Sequence, residues 1–242
     1  MRTLLHCDDG STVLLEPHRW RGQPSPGEER VLGQVVGPAL DVGCGPGRHV
    51  LALARMGVPT LGIDISPIAV TVARDRGAAV LQRCVFRPLP LHAAWRTVLL
   101  LDGNIGIGGC PATLLRRVGQ LLELGGRALV EVDPPGTRTG PMRARVERGS
   151  VRGPWFAWAR VAASRLPLIA ESAGLAAEAL WESEGRWFAR LDRPASRAGD
   201  LVGPASRAGG RPHRYPHHEP CAQCGHAGLS GDSWAAALSE GA

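Results

Sequence analysis

Lysine is missing from this chain, asparagine occurs once (Asn104), tyrosine once and phenylalanine three times. All 28 basic residues are therefore arginines, a bias expected of a GC-rich coding sequence rather than of arginine selected for bidentate binding. The net charge of +6 is thus a poor pointer to a nucleic-acid partner. A protein that tracks phosphates gathers its basic residues on one face or in one run, and here they are scattered. Long apolar runs are lacking too: none reaches the roughly 18 residues that a membrane-spanning helix needs. The chain meets Asp8 and Asp9 before an apolar signal region can build. Cysteine is sparse, and Cys7, Cys44, Cys84, Cys110, Cys221 and Cys224 are too dispersed for a disulfide framework. They read as free thiols in a reducing compartment, so a cytoplasmic protein without membrane contact is expected. What is present suffices for a core. Apolar residues make up 44% and charged residues 21% of 242, enough for one α/β domain with some chain to spare.

From Pro38 onward, short apolar runs alternate with helical stretches. Strands are expected at 39–42, 60–63, 79–84, 97–101 and 127–132, with helices at 48–56, 67–76 and 111–122 between them. Ser66 followed by Pro67 starts one of these helices and Gly77 stops it. A strand-to-strand spacing of roughly 20 to 30 residues is that of a parallel sheet with crossover helices. Past Val132 the rhythm changes. A strand is expected at 155–161 and a helix at 164–173, followed by two runs, 178–183 and 186–191, split by Glu184-Gly185. That dipeptide reads as a hairpin turn closing an antiparallel edge. Upstream, residues 1–37 read as an extension with one strand at 12–15 and a short helix starting at Pro26. Downstream, residues 193–242 are more than half Gly, Pro, Ser and Ala, with Pro-Ala-Ser-Arg-Ala-Gly at both 194–199 and 204–209. Such a stretch buries too little apolar area to offset its ordering entropy, so a disordered tail is expected there and a folded domain over 38–192.

The segment Leu40-Asp41-Val42-Gly43-Cys44-Gly45-Pro46-Gly47-Arg48-His49 lies where a strand turns into a helix. Its glycines let a ligand approach the backbone with no Cβ in the way. A dinucleotide fingerprint wants its third glycine three residues after the second, where this chain has Arg48. Here the third glycine comes two residues after the second, and an acid stands two before the first. An acid in that place can bind the ammonium group of an amino acid, directly or through water, while the turn shelters a thioether chain. A tight turn with no ligand is the alternative. Asp64, at the end of the next strand, is placed to accept hydrogen bonds from ribose hydroxyls, or else to cap the helix behind it.

Asp-x-Gly-x-Gly-x-Gly followed by an acid after the second strand resembles the signature of the class I S-adenosylmethionine-dependent methyltransferases. Leu124-Gly125-Gly126 before the fifth strand is similar to that family's Pro-Gly-Gly turn. The resemblance covers about residues 30–192. It implies an α/β, doubly wound fold: a seven-stranded, mostly parallel sheet with an antiparallel C-terminal strand and helices on both faces. It implies S-adenosylmethionine as cofactor, with Asp41, Gly43, Cys44 and Gly45 at the methionine end, Asp64 on the ribose and Ile65 against the adenine. Cys84, Val85 and Phe86 would meet the adenine edge, where many members carry an acid that this chain lacks. Asp102, with Gly103 and Asn104, would lie beside the sulfonium.

Methyl transfer is an in-line displacement from an activated donor, so positioning carries much of the work and no metal is needed. A base matters only for a hydroxyl or a protonated amine. Asp102, His49 and His92 are the candidates, each with a structural alternative: loop organisation for Asp102, packing or surface roles for the histidines. The loop Gly103–Gly109 is expected to wall the site. Asp133-Pro134-Pro135-Gly136 reads as a strand-ending turn. Trp155, Phe156 and Trp158 read as core beneath the antiparallel edge, with the border of an acceptor pocket as the alternative. In the tail, His213, His217, His218, Cys221, Cys224 and His226 offer ligand types but no folded framework, so no metal site is assigned. The expected function is methyl transfer to a small-molecule acceptor. A non-catalytic S-adenosylmethionine-binding sensor or partner subunit, a nicotinamide-dependent oxidoreductase and a nucleic-acid modifier are the other readings.

Overall fold

The computed structural model describes residues 2–90 and 93–195. Seven strands form the central sheet in the order β11-β12-β7-β6-β3-β4-β5, comprising β3 (Ala39–Val42), β4 (Thr60–Asp64), β5 (Val80–Gln82), β6 (Trp95–Leu100), β7 (Leu122–Val132), β11 (Ala176–Ser183) and β12 (Arg186–Asp192). β3 to β7 pair in parallel, and β12 runs antiparallel to both β7 and β11. This is the doubly wound arrangement that the resemblance implies, built on the parallel sheet that the strand spacing predicts.

Alternation along β6 shows why both faces carry helices. Val98 and Leu100 face one core cluster, with Leu114, Leu115 and Val118 of α5 (Pro111–Leu121) and Leu166 and Ala170 of α6 (Leu166–Ser172). Leu99 and Leu101 face the other, with Val31 and Leu32 of α2 (Pro26–Leu32) and Leu53 of α3 (Arg48–Arg55). Successive strand residues point to opposite faces, so a continuous apolar run here means burial on both sides. Helix boundaries follow local chemistry. The Ser66 side chain accepts from Ala69 N at the start of α4 (Pro67–Asp75), with Pro67 in the first turn. Ser25 and Glu28 form a capping box on α2. In the β11–β12 turn, Glu184 and Gly185 have φ of 55° and 75°, the left-handed pair that two-residue hairpin loops need.

A second, five-stranded antiparallel sheet was not expected. It has the order β10-β8-β1-β2, with β9 paired to β8, built from β1 (Thr3–Cys7), β2 (Thr12–Leu15), β8 (Gly140–Arg148), β9 (Val151–Arg152) and β10 (Phe156–Arg160). The N-terminal segment thus contributes two strands, and two helices, α1 (Pro17–Arg21) and α2, rather than one of each. The strand expected at 155–161 joins this sheet and not the central one. β8 carries a period-2 signal, Met142, Ala144 and Val146 alternating with Arg143, Arg145 and Glu147, which its arginine content concealed. Smaller differences lie at element ends: β5 is shorter than expected, and β7 begins at Leu122, directly after α5. Arg193 remains part of the sheet, its N–H donating to Gly126 O (2.8 Å) and its carbonyl accepting from Gly125 N (3.1 Å). The rest of the expected tail, from residue 196 on, lies outside the described residues.

Candidate active site

The carboxyl ends of β3, β4 and β6 open into a cleft that the second sheet covers from the other side. Counting its open mouth, the cleft measures about 1420 Å³.

The glycine turn forms its floor. Gly43 N and Cys44 N both donate to Ile63 O (2.8 and 3.1 Å), and Gly45 N donates to Asp64 Oδ2 (2.9 Å). These amides are spent on β4, so they do not form the cradle that a dinucleotide pyrophosphate requires. The three glycines have different reasons. A Cβ on Gly43 would meet the Asn104 side chain, and one on Gly47 would meet Ala78 and Ala73. At Gly45, with φ of 53°, nothing lies within 4 Å, so this is the stretch of turn left open for a ligand. Asn104 closes the back of the turn, its amide donating to Val42 O (2.9 Å) and Gly43 O (3.1 Å).

Asp64 lines the cleft beside the turn. Its other oxygen accepts from Ser66 N (2.8 Å), so it braces the following loop while keeping lone pairs to spare. Burial pushes its carboxyl above the ordinary value, against the hydrogen bonds from Ser66 and Gly45. Ile65, Cys84 and Val85 also line the cleft, whereas Phe86 packs against the main core. The loop after β5 is held from α5: Arg117 donates to Val85 O (2.9 Å) and Arg87 O (3.0 Å).

Asp41 departs from expectation. It is 1% exposed and stands behind the wall of the cleft, not in it. Its Oδ2 faces His49 Nδ1 at 3.7 Å, while His49 Nε2 faces Glu28 Oε1 at 3.6 Å, ion-pair distances longer than a hydrogen bond. Burial works against a charge on His49, but Asp41 and Glu28 outweigh it and push its pKa up to about 9. The ring is an imidazolium at neutral pH and has no lone pair with which to take a proton. Asp102 is likewise no free base. One oxygen accepts from Arg48 (2.6 Å), the other from Arg186 (3.1 Å), and its backbone N–H donates to Glu131 (2.6 Å). His92 lies outside the described residues, as does the Cys221 and Cys224 cluster of the tail.

Sequence reasoning missed the hub of this buried network. Glu28, fully buried, caps α2 with one oxygen, while the other pairs with Arg48 (2.9 Å) and accepts from Arg186 (2.7 Å). Its sequence signal, the Ser25-x-x-Glu28 pattern, announces a capping box and says nothing of the arginines waiting behind it. Glu28, His49 and Asp102 bring ligand-type atoms within 4.8 Å of one another, but the Arg48 guanidinium already bridges both carboxylates.

The far wall also corrects the sequence reading. Phe156, Ala157 and Trp158 of β10 face the cleft, joined by Leu5, Leu15 and Trp20; they are not core beneath an antiparallel edge. Trp155 packs under Arg145 and Arg143, 4.7 and 5.9 Å from their guanidinium carbons. The glycine-rich loop Asn104–Gly109 walls the site as expected, for a reason the sequence did not give. A Cβ on Gly106 would clash with the Trp158 indole and the Ala159 carbonyl, so the glycine exists to seat the tryptophan. Asp133 ends β7 as expected and links the two sheets, pairing with Arg160 at 3.0 Å.

Residues 39–126 match the family model described as a methyltransferase domain. A methyltransferase from Bacteroides fragilis, solved with S-adenosyl-L-homocysteine, is similar to this chain at 25% identity and TM-score 0.70, over 80% of this chain and 88% of that one. The matched segment is a methyltransferase domain, and the fold around it is that of the class I S-adenosylmethionine-dependent methyltransferases. Its fold is shared at lower identity by the CcbJ methyltransferase of Streptomyces caelestis (18%, TM-score 0.54, 73% of this chain and 92% of that one). The same holds for CalS10, an amino pentose methyltransferase of Micromonospora echinaspora (19%, TM-score 0.50, 73% and 94%). As a methyltransferase it uses S-adenosylmethionine as cofactor, and the open stretch at Gly45 fits a ligand pressed against bare backbone.

Proposed function

We propose that this methyltransferase acts on a small organic molecule held between the cofactor turn and the second sheet. The observation that carries this reading is the continuity of one cleft, with Gly45 and Asp64 on one wall and Phe156 and Trp158 on the other. An acceptor seated against β10 lies across the cleft from the turn. S-adenosylmethionine, when bound, supplies an activated methyl group on sulfur. The chain supplies position and exclusion of water, and orientation of reactants is worth roughly 7–11 kcal/mol in favourable cases.

Within this reading, Asp64 accepts from the ribose hydroxyls, Ile65 packs on the adenine, and Cys84 and Val85 border its edge. Asp41 acts from behind the wall, where its Oδ2 faces the charged His49 ring at 3.7 Å beneath the glycine turn. The second sheet comes from segments outside the matched residues 39–126, as expected of an acceptor-recognising addition to a common core.

The test is Asp64→Ala, with S-adenosylhomocysteine affinity measured by calorimetry. A loss of about 1.5–3 kcal/mol is expected, the scale of hydrogen bonds to a charged group, and unchanged affinity removes the ribose role. Wild-type binding without S-adenosylhomocysteine production across an acceptor panel would instead favour a sensor.

A further inference from the structure

The ionisable groups at the Asp102 end of the cleft and along the glycine turn are already engaged. Asp102 is held by two arginines, and His49 is a cation between two carboxylates. Asp64 accepts from backbone amides with both oxygens. Arg48 is committed to Glu28 and Asp102, and burial holds the Cys44 thiol far above its ordinary value. Cys84 lies after β5, at the edge of the sheet, with β4 and β3 between it and the end of β6. Among the described residues, nothing at the Asp102 end of the cleft is poised to remove a proton from a hydroxyl or an ammonium group.

The wall opposite the cofactor turn is aromatic and apolar, with Trp20, Phe156 and Trp158 beside Leu5, Leu15 and Ile107. Phe156 and Trp158 meet edge to face, with centroids 5.8 Å apart at 85°, and Gly106 leaves room for the indole. Rigid aromatic walls select flat ligands, and their faces favour a nearby cation.

We propose that the acceptor is a flat heteroaromatic molecule methylated on an unprotonated ring nitrogen. This rests on the methyl-transfer reading above and adds the class of acceptor. The nitrogen lone pair forms the new N–CH3 bond as the S–CH3 bond breaks. Sulfur keeps the bonding pair and becomes a neutral thioether, and the positive charge passes to the ring. No proton has to leave, so no base is needed, and the product is a heteroaromatic cation against an aromatic wall.

The test uses the full chain saturated with S-adenosylhomocysteine, whose binding is established first by calorimetry; failure of that step overturns the methyl-transfer reading itself. N-methylquinolinium and its uncharged isostere 1-methylnaphthalene are then titrated by tryptophan fluorescence. Roughly tenfold tighter binding of the cation is expected, and equal affinities overturn the proposal. In Trp158→Ala the preference should vanish with S-adenosylhomocysteine affinity kept, and Trp158→Phe should restore part of it. The wild-type comparison stands even if the alanine variant fails to fold.

Turnover gives a second readout. With quinoline, isoquinoline and matched naphthols offered alongside S-adenosylmethionine, methylation of the ring nitrogens is expected, with kcat/KM flat above each acceptor's own pKa. Naphthol methylation governed by one enzyme pKa, shared by acceptors of different acidity, would reveal a base and overturn the proposal. So would the absence of any ring-nitrogen product.

Discussion

At the scale of single residues, the histidine after the glycine turn is an element of stability whose charge can be read out. An imidazole titrates near 6.5 in an unfolded chain, whereas burial beside Asp41 and Glu28 leaves His49 at about 9. A raised pKa means that the folded state binds the proton more tightly. The stabilisation is complete below about pH 6.5 and is lost as pH rises through about 9. Glu28 behaves oppositely: burial disfavours its charge, but His49 and Arg186 prevail and hold it far below the usual carboxylate range. Its contribution is present at neutral pH and fades only in strong acid. The thermal midpoint of the wild type should fall between about pH 6.5 and 9, by an amount corresponding to a few kcal/mol. In His49→Gln the midpoint should be lower at pH 6 and nearly flat over that window. An alkaline slope unchanged by the substitution would show that His49 is not the titrating group. The sequence made His49, Asp41 and Asp102 visible as chemically capable residues, because a motif flags residue types. It could not show that their charges are already paired, because Glu28 and Arg186, which complete the network, lie far apart in the chain.

At the scale of elements, legibility follows the range of the signal. β3, β4, α3, α4 and α5 were readable because caps, stop glycines and apolar runs are local, and the Glu184-Gly185 turn was readable for the same reason. The second sheet was not, since β1 pairs with β8 across well over a hundred residues, Thr3 opposite Arg148 and Cys7 opposite Ala144. Nothing in the pattern of either strand names its partner. The loop Asn104–Gly109 shows the same limit in miniature: its glycines signalled close approach, but the approaching group, Trp158, belongs to the unseen sheet. Gly106→Ala should therefore cost about 1–3 kcal/mol, as overpacking does, because the new methyl group meets a backbone carbonyl that cannot swing away. Gly119→Ala, in α5, is the control: its nearest neighbour would be the Leu175 side chain at an ordinary 3.6 Å, and replacing a helix-interior glycine is neutral or favourable. Urea denaturation of both variants measures the difference, and equal stabilities would mean that the indole is not seated as described.

At the scale of the whole molecule, the central sheet supplies the cofactor floor and the two flanking segments close over it, so the cleft exists only when chain stretches 3–15 and 140–160 find each other. The C-terminal limit of the folded part is equally a matter of pairing. Composition changes at residue 193, and the natural place to cut on sequence grounds is after Asp192. Yet the backbone of Arg193 both donates to Gly126 and accepts from Gly125, and its guanidinium donates to Leu122 O. These bonds secure the first part of β7, the strand joining β6 to β12. A chain ending at residue 195 should melt within about one degree of the full-length protein. One ending at 192 forfeits these backbone hydrogen bonds at about 0.5–1.5 kcal/mol each. With about 2–4 °C per kcal/mol for a domain of this size, its midpoint should drop by several degrees. Parallel thermal scans decide the matter. A large loss already at 195 would mean that later residues hold the fold, and no loss at 192 would mean that the Arg193 contacts contribute nothing to it.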